Sequence, residues 1–392
     1  MAEIIDQIVK ISIQDAISSV TTVDVNTVAL VGLATTSTPV AGEIASVADA
    51  VTAYGENSEL TAMVKAFFAQ DSQPSRVVCI PAGNTAAETL AAVQAAAQGF
   101  SFYHVVWATW DGSVTTTILT GSNGWQEWLA DAKKVLHVQV KDPTSIKNHG
   151  GKRIAVYKHD EIKEITQTVT SGTTTTVTHP SSLPGGWTDG NLRTSTTESG
   201  TTTTVEVSVE FLPVAIVALR CASDSARGTF AHKKCNGVTP DSYTVGQYNA
   251  WIDGGINIYV KVSGEARLFM GTTADAESFI DQVVKDDWIR FNTQSRIYKL
   301  LGEGNDGNGI NYDDAGIAAV AASVMNVLTV AQDTDHQYVM ADSATVDYKP
   351  YSYLVANYAE DVRKRNLPLI SGRYARMNAI HTVVQVSLLV TL

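Results

Sequence analysis

The sequence predicts an α/β fold, and three observations carry that prediction. Between about Val23 and Val140, short apolar runs alternate with helical stretches, the pattern of a largely parallel sheet whose strands are joined by helices. A Thr-rich stretch from Ile162 to Glu210 breaks the pattern and reads as a β-hairpin insertion. Both ends of the chain alternate apolar and polar residues with the period of two that strands show.

Taken in order, Ile8, Val9, Lys10, Ile11, Ser12 and Ile13 alternate apolar and polar residues and predict a strand ahead of the first domain. The run from Thr27 to Leu33 is the first strand of the body, followed by helical stretches over Ser46 to Tyr54 and Ser58 to Gln70. Strands then follow at Arg76–Ile80, Tyr103–Trp107 and Val135–Val140, separated by an Ala-rich helix from Thr85 to Gln98 and another from Gly124 to Ala132. The insertion holds two near-copies, Ser171–Val177 and Ser199–Val205, each reading SGTTTTV, on either side of the Pro/Gly segment His179–Gly186. Thr favours strands and Ser-Gly suits a tight turn, so each copy predicts a hairpin; the competing reading is a Thr-rich loop.

The α/β pattern resumes at Leu212–Arg220, with Arg227 and Gly228 shaping a loop at the carboxyl end of that strand, and continues through a strand pair, Ile256–Val262 and Ala266–Gly271. Helices are predicted over Ala274–Leu301, Asp313–Val330 and Ser352–Arg365. A terminal strand from Ile380 places Val384, Val386, Leu388, Val390 and Leu392 on one face. The organisation that follows is an N-terminal extension (1–22), an α/β domain in two parts (23–161 and 211–272), the insertion (162–210), a C-terminal mainly helical domain (273–378) and a C-terminal strand extension (379–392).

Composition narrows the function classes. A chain of 392 residues can bury two or three cores, and 44% hydrophobic with 17% charged residues describes a folded protein with an unusually uncharged surface. The net charge of −12 argues against general nucleic-acid binding, which needs a basic face, so no direct nucleic-acid partner is expected. Cys79, Cys221 and Cys235 are odd in number and form no CxxC pair, which predicts buried thiols rather than a disulfide framework. The start has none of the features of a signal peptide, and no apolar stretch reaches the roughly 18 residues of a membrane span, so folding in the cytoplasm and no membrane insertion are expected.

Catalytic spacings are missing: the sequence has no phosphate-binding loop, zinc helix, nucleophile elbow or dinucleotide fingerprint, and no cofactor is expected. The densest candidate would join Cys235 or Ser225 to His232 and Asp224, but triads are assembled in space and local clustering counts for little. A pairing of Asp224 with Arg227 is the structural expectation. The eight histidines are scattered without metal-ligand spacing, which predicts solvated or hydrogen-bonded structural roles. Gly302–Gly309 offers oxygen ligands but lacks the closing glutamate of an EF-hand, so it predicts a mobile turn between helices. Arg363, Lys364, Arg365, Arg373 and Arg376 form the densest basic region. They read either as a solvated helix end, where cations are favoured, or as a dock for an acidic partner.

Asp286–Leu301, followed by Ile310–Ile317, resembles the C-terminal half of the sheath proteins of contractile-tailed phages, although Asn311 stands where those carry Pro and Asp313 where they carry Thr. The ending Ala379–Val386 also resembles theirs, and the likeness extends more loosely to the first α/β domain but not to the insertion. The resemblance implies a sheath-like α/β body whose termini exchange strands with neighbouring subunits through Ile8, Ile11, Ile13, Val384, Val386, Leu388 and Val390. It implies a homo-oligomer of stacked rings or a helix around an inner tail tube protein, meeting baseplate and tail terminator proteins in a virion. It also implies contraction by subunit rearrangement without enzymatic activity, with the basic cluster turned toward the tube. Two other readings stay open: another phage tail or baseplate structural protein, and an α/β enzyme.

Overall fold

The computed structural model describes residues 24–56, 58–108, 117–119, 124–144, 146, 151–159, 162–169, 193–198, 201–304 and 309–382. The chain forms two compact units, Asp24–Ser225 with Thr229–Ile280, and Ala226–Gly228 with Asp281–Leu392.

The first unit is built on an eight-stranded sheet. Its strands are β1 (Val28–Gly32), β2 (Gly42–Ile44), β3 (Val77–Pro81), β4 (His104–Ala108), β5 (Val135–Val140), β6 (Ile154–Lys158), β10 (Ile256–Val262) and β11 (Glu265–Phe269), in the order β11-β10-β6-β5-β4-β1-β3-β2. The central pairs are parallel, in registers such as Leu30 opposite Val106 and Val138 opposite Trp107, and only the edge strands β2 and β11 run antiparallel. Every residue of β1, β4 and β5 is buried. A parallel strand covered on both faces has no solvent side, which is why these segments read as continuous apolar runs.

Helices α1 (Val47–Tyr54), α2 (Glu59–Phe68) and α3 (Ala86–Gly99) start at Ser46, Ser58 and Thr85, whose side chains accept from the backbone N–H three residues on. Helix α4 (Trp125–Ala132) brings fully buried Trp125 into a stack with Trp107 at 5.7 Å, while its indole Nε1 donates to the Ala86 carbonyl at 2.8 Å. These rings sit in the main core with Leu90, Leu129 and Val138.

The run Leu212–Arg220 is corrected by the structure: it is not a strand but most of helix α5 (Leu212–Ser223), with Pro213 in its first turn. Residues Leu212 to Ala218 are buried without a break, so the helix carries no amphipathic period that would distinguish it from a buried strand. Strands β2 and β6 and helix α6 (Val245–Asp253), the last opened by a Thr244/Gln247 capping box, were not anticipated.

The insertion forms its own antiparallel sheet from β7 (Ile162–Val169), β8 (Arg193–Glu198) and β9 (Thr201–Val209), in the order β7-β9-β8, with a register break between Glu164 and Thr166. Strands β8 and β9 pair out to Glu198 opposite Thr201, the hairpin expected at the second SGTTTTV copy. The first copy, Ser171–Val177, lies outside the described residues.

The second unit holds α7 (Ile280–Glu303) from Asp281 onward, α8 (Asp314–Gln332), α9 (Tyr351–Asn357), α10 (Ala359–Arg363) and the two-stranded sheet β12 (Thr345–Asp347) with β13 (Ser371–Arg373). Asp313 caps α8 by accepting from Gly316 N at 2.8 Å, and a Cβ on Gly316 would lie 1.9 Å from the Asn311 carbonyl oxygen, so this turn admits only glycine. The single helix expected over Ser352–Arg365 is two, broken at Tyr358 with φ −136°. Helix α8 also corrects the reading that no apolar stretch is long enough for a membrane span: by length and composition it is. Its Ile317, Val320, Val327, Leu328 and Ala331 are buried inside the protein.

Candidate assembly surfaces

Helix α7 supplies the groups that fix the end of the described chain. Lys285, fully buried, donates to the Asp281 carboxylate at 2.8 Å and to the Met377 carbonyl at 2.7 Å. A buried ion pair costs desolvation on both partners, and the added carbonyl bond offsets part of that cost for the ammonium. Asp286 accepts from the Tyr374 hydroxyl and from Arg376 Nε, both at 2.9 Å, and Gln282 donates to Asn378. Backbone bonds from Met340 to Ala375 and from Met377 to Tyr338 complete the attachment. The chain is thus tied down as far as Asn378, immediately before the segment expected to leave as a terminal strand. Ile8, Ile11, Ile13, Val384, Val386, Leu388 and Val390 lie outside the described residues.

Three of the five basic residues already meet carboxylates within the unit. Arg363 grips Glu360 with its Nε at 3.1 Å and its Nη2 at 2.7 Å, and Lys364 reaches the same carboxylate at 3.1 Å. The two cations hold the Glu360 carboxyl below its ordinary pKa. Arg376 is bonded to Asp286, Arg373 ends β13, and Arg365 follows α10 with φ +61°. Arg363 and Lys364 remain exposed at the C-terminal end of α10.

Sequence reasoning missed a second feature beside them. From Thr345 to Ile380 only Leu354 is buried, yet the segment carries Tyr348, Tyr351, Tyr353, Val355, Leu369 and Ile380 exposed, the last at 82%. Scattered apolar side chains are ordinary at a surface; here these six fall within one stretch that buries a single side chain. The tyrosines of Tyr348-Lys-Pro-Tyr-Ser-Tyr353 were the available signal, since tyrosine is enriched at interfaces.

The groups considered for catalysis have structural occupations. Ser225 is buried and its hydroxyl donates to the Val25 carbonyl at 2.9 Å. Burial pushes the Cys235 thiol up to about 12, the opposite of an activated nucleophile. His232 packs edge-on against Phe269 at 5.7 Å. Arg227 donates to Gln337 at 3.1 Å, while the carbonyl of Asp224 accepts from Arg220. All three cysteines are free and buried, as expected. Of the Gly302–Gly309 loop, residues 305–308 lie outside the described residues.

Two buried histidine sites join residues far apart in sequence. His104 on β4 and His137 on β5 share a hydrogen bond of 3.0 Å, and His137 meets the Tyr157 hydroxyl of β6 at 3.0 Å. Burial, with the nearby Arg220 charge, lowers His104 to about 3, and burial also holds His137 well below its ordinary value, so both are neutral. His159 instead lies between two carboxylates, Glu210 at 2.8 Å and Asp241 at 3.1 Å.

The sequence matches no protein-family model and no curated protein. Its structure does have counterparts. The helical sheath of the anti-feeding prophage in its contracted state superposes with a TM-score of 0.61 at 12% identity, covering 97% of each chain. A chain from the contracted baseplate of the same particle superposes with a TM-score of 0.59 at 13% identity, over 97% of this chain and 96% of the other. The sheath tail protein of Listeria innocua aligns over 82% of this chain and 88% of its own at 13% identity, with a TM-score of 0.48, too loose a likeness to argue from. The chain thus shares the fold of the anti-feeding prophage sheath chain.

Proposed function

We propose that this chain is the repeating subunit of a contractile tail sheath. It polymerises as stacked rings or a helix around an inner tube protein, engages baseplate and terminator proteins, and contracts by subunit rearrangement to drive the tube through a host envelope. The observation that carries this reading is the superposition on a helical sheath over 97% of both chains. The exposed apolar stretch from Tyr348 to Ile380 supports it, because such a surface calls for a neighbour. So does the attachment of the chain to α7 up to Asn378, which gives a C-terminal strand a fixed root from which to reach an adjacent sheet.

In this reading the work is mechanical and no residue is catalytic. The two extensions, through Ile8, Ile11 and Ile13 and through the face of Val384, Val386, Leu388 and Val390, complete a sheet shared between subunits. Of the basic cluster, Arg363, Lys364, Arg365 and Arg373 are the residues to turn toward the tube, because Arg363 and Lys364 keep mostly exposed side chains beside Glu360 whereas Arg376 is held more closely against Asp286. The particle is a phage tail or a related injection machine, assembled in the host cytoplasm. The likeness to a baseplate chain favours one alternative, a sheath-like structural component confined to the baseplate.

Electron micrographs of the purified chain test the proposal. Long tubes or stacked rings are expected, and closed single rings that never stack would move the chain to the baseplate. A monomer at all concentrations whose melting temperature rises with a small-molecule ligand would replace the structural reading with an enzymatic one.

A further inference from the structure

The insertion leaves the sheet after β6 and rejoins the body after β9, and a single imidazole is bonded at both points. His159 follows β6 directly, and its N–H continues the ladder by donating to the Val140 carbonyl at 2.9 Å. Glu210 follows β9 directly. Its carbonyl accepts from Gln139 Nε2 at 3.0 Å, and Gln139 Oε1 in turn accepts from Leu212 N at 2.8 Å. Between these two roots the His159 ring is fully buried, with Nε2 2.8 Å from Glu210 Oε2 and Nδ1 3.1 Å from Asp241 Oδ2. Asp241 is itself bridged to Val260 of β10.

With both carboxyls ionised, a count of protons sets the charge of the ring. Besides the ring, Glu210 takes two further donors: its Oε2 accepts from Thr239 N at 2.8 Å and its Oε1 from the Thr239 hydroxyl at 2.7 Å. Asp241 Oδ2 accepts from the Tyr243 hydroxyl at 2.8 Å. Ionised carboxylates only accept, and a neutral imidazole has one N–H and one lone pair. A neutral ring would therefore turn a lone pair on one of the two carboxylates. Among the described residues, Cys235 stands near Glu210 and is hydrogen-bonded to Tyr259, and the Lys158 ammonium lies 5.1 Å from the Tyr243 ring centroid while donating to the Lys141 carbonyl.

We propose that His159 is held doubly protonated, as a charge-dependent latch that ties both roots of the insertion to the sheet, and that loss of its proton loosens the module while the sheet persists. The sign follows from the bonds. Each contact is a charge-assisted hydrogen bond while the imidazolium lasts, and deprotonation converts one of them into a buried repulsion. The latch does not depend on the assembly reading, since all of its groups belong to one chain.

Histidine-selective 15N NMR of the full chain, in solution or in the polymer, tests this together with amide exchange. At neutral pH both ring nitrogens of His159 carry a proton. As the pH is raised until one is lost, exchange at Ile162, Val209 and Leu212 accelerates on the order of tenfold relative to β5, as expected for one broken charge-assisted bond. His159→Gln makes the roots exchange rapidly at every pH. A neutral His159 ring at neutral pH, or root amides that track β5 throughout, overturns the proposal. Should His159→Gln fail to fold, Asp241→Asn decides: with one carboxylate removed the ring needs a single N–H and becomes neutral at neutral pH, whereas a ring still doubly protonated contradicts the latch.

Discussion

The strands β1, β4 and β5 are buried at every position, whereas from Thr345 to Ile380 a single side chain, Leu354, is buried. The sheet unit closes its own core, with parallel strands covered on both faces and helices started by Ser and Thr caps. The end of the described chain is held instead by discrete polar attachments, Lys285 to Met377 and Asp286 to Tyr374 and Arg376, and leaves tyrosines and aliphatics uncovered. Burial inside one chain makes a rigid piece that can be moved as a whole. The uncovered stretch leaves tyrosine and aliphatic surface that a neighbour would cover in the proposed assembly.

The largest effect is expected in the sheet unit. Trp125→Ala removes a fully buried indole, its stack on Trp107 and its bond to Ala86, and should destabilise the fold by about 3–5 kcal/mol in chemical denaturation. Lys285→Ala leaves Asp281 buried without its cation and should cost about 3–5 kcal/mol, but confined to the second unit. Proteolysis after this substitution should cut near Met377 while β1 to β6 stay protected; equal loss of both would dissolve the distinction between the units.

Acid separates the regions differently. His104 and His137 are neutral in the fold, His104 with a pKa near 3, while an unfolded histidine titrates near 6.5. The unfolded chain therefore binds more protons below about 6.5, so the stabilisation is complete above that pH and is lost as the pH falls toward about 3. Denaturation midpoints measured across this range should fall in wild type and fall less in His104→Phe. The smallest effect on the isolated chain belongs to the uncovered face: Tyr351→Ser with Tyr353→Ser should change monomer stability by within about 0.5 kcal/mol. The same pair should abolish polymers in sedimentation, and normal polymers would show that this face is not an interface.

Much of the fold was legible in the sequence because its rules are local. Continuous apolar runs gave β1, β3, β4 and β5, and the SGTTTTV repeat gave the β8–β9 hairpin. Where locality failed, the reasons are physical. Helix α5 is buried all round, so its run Leu212–Ala218 shows no period, and Tyr358 breaks a helix without proline or glycine. The histidine sites were invisible because strand register creates them: His104 meets His137 across β4 and β5, and His159 meets Glu210 and Asp241, which stand 51 and 82 residues away. The polar attachment of the tail to α7 likewise joins positions about 90 residues apart in sequence, as in the Asp286–Arg376 pair.

Hydrogen exchange compared between the monomer and the assembled polymer tests the account most directly. Amides from Tyr348 to Ile380 should gain protection on assembly while those of β1, β4 and β5 stay as they were in the monomer. A polymer in which the Tyr348–Ile380 stretch exchanges as fast as in the free chain, with the new protection falling elsewhere, would contradict it.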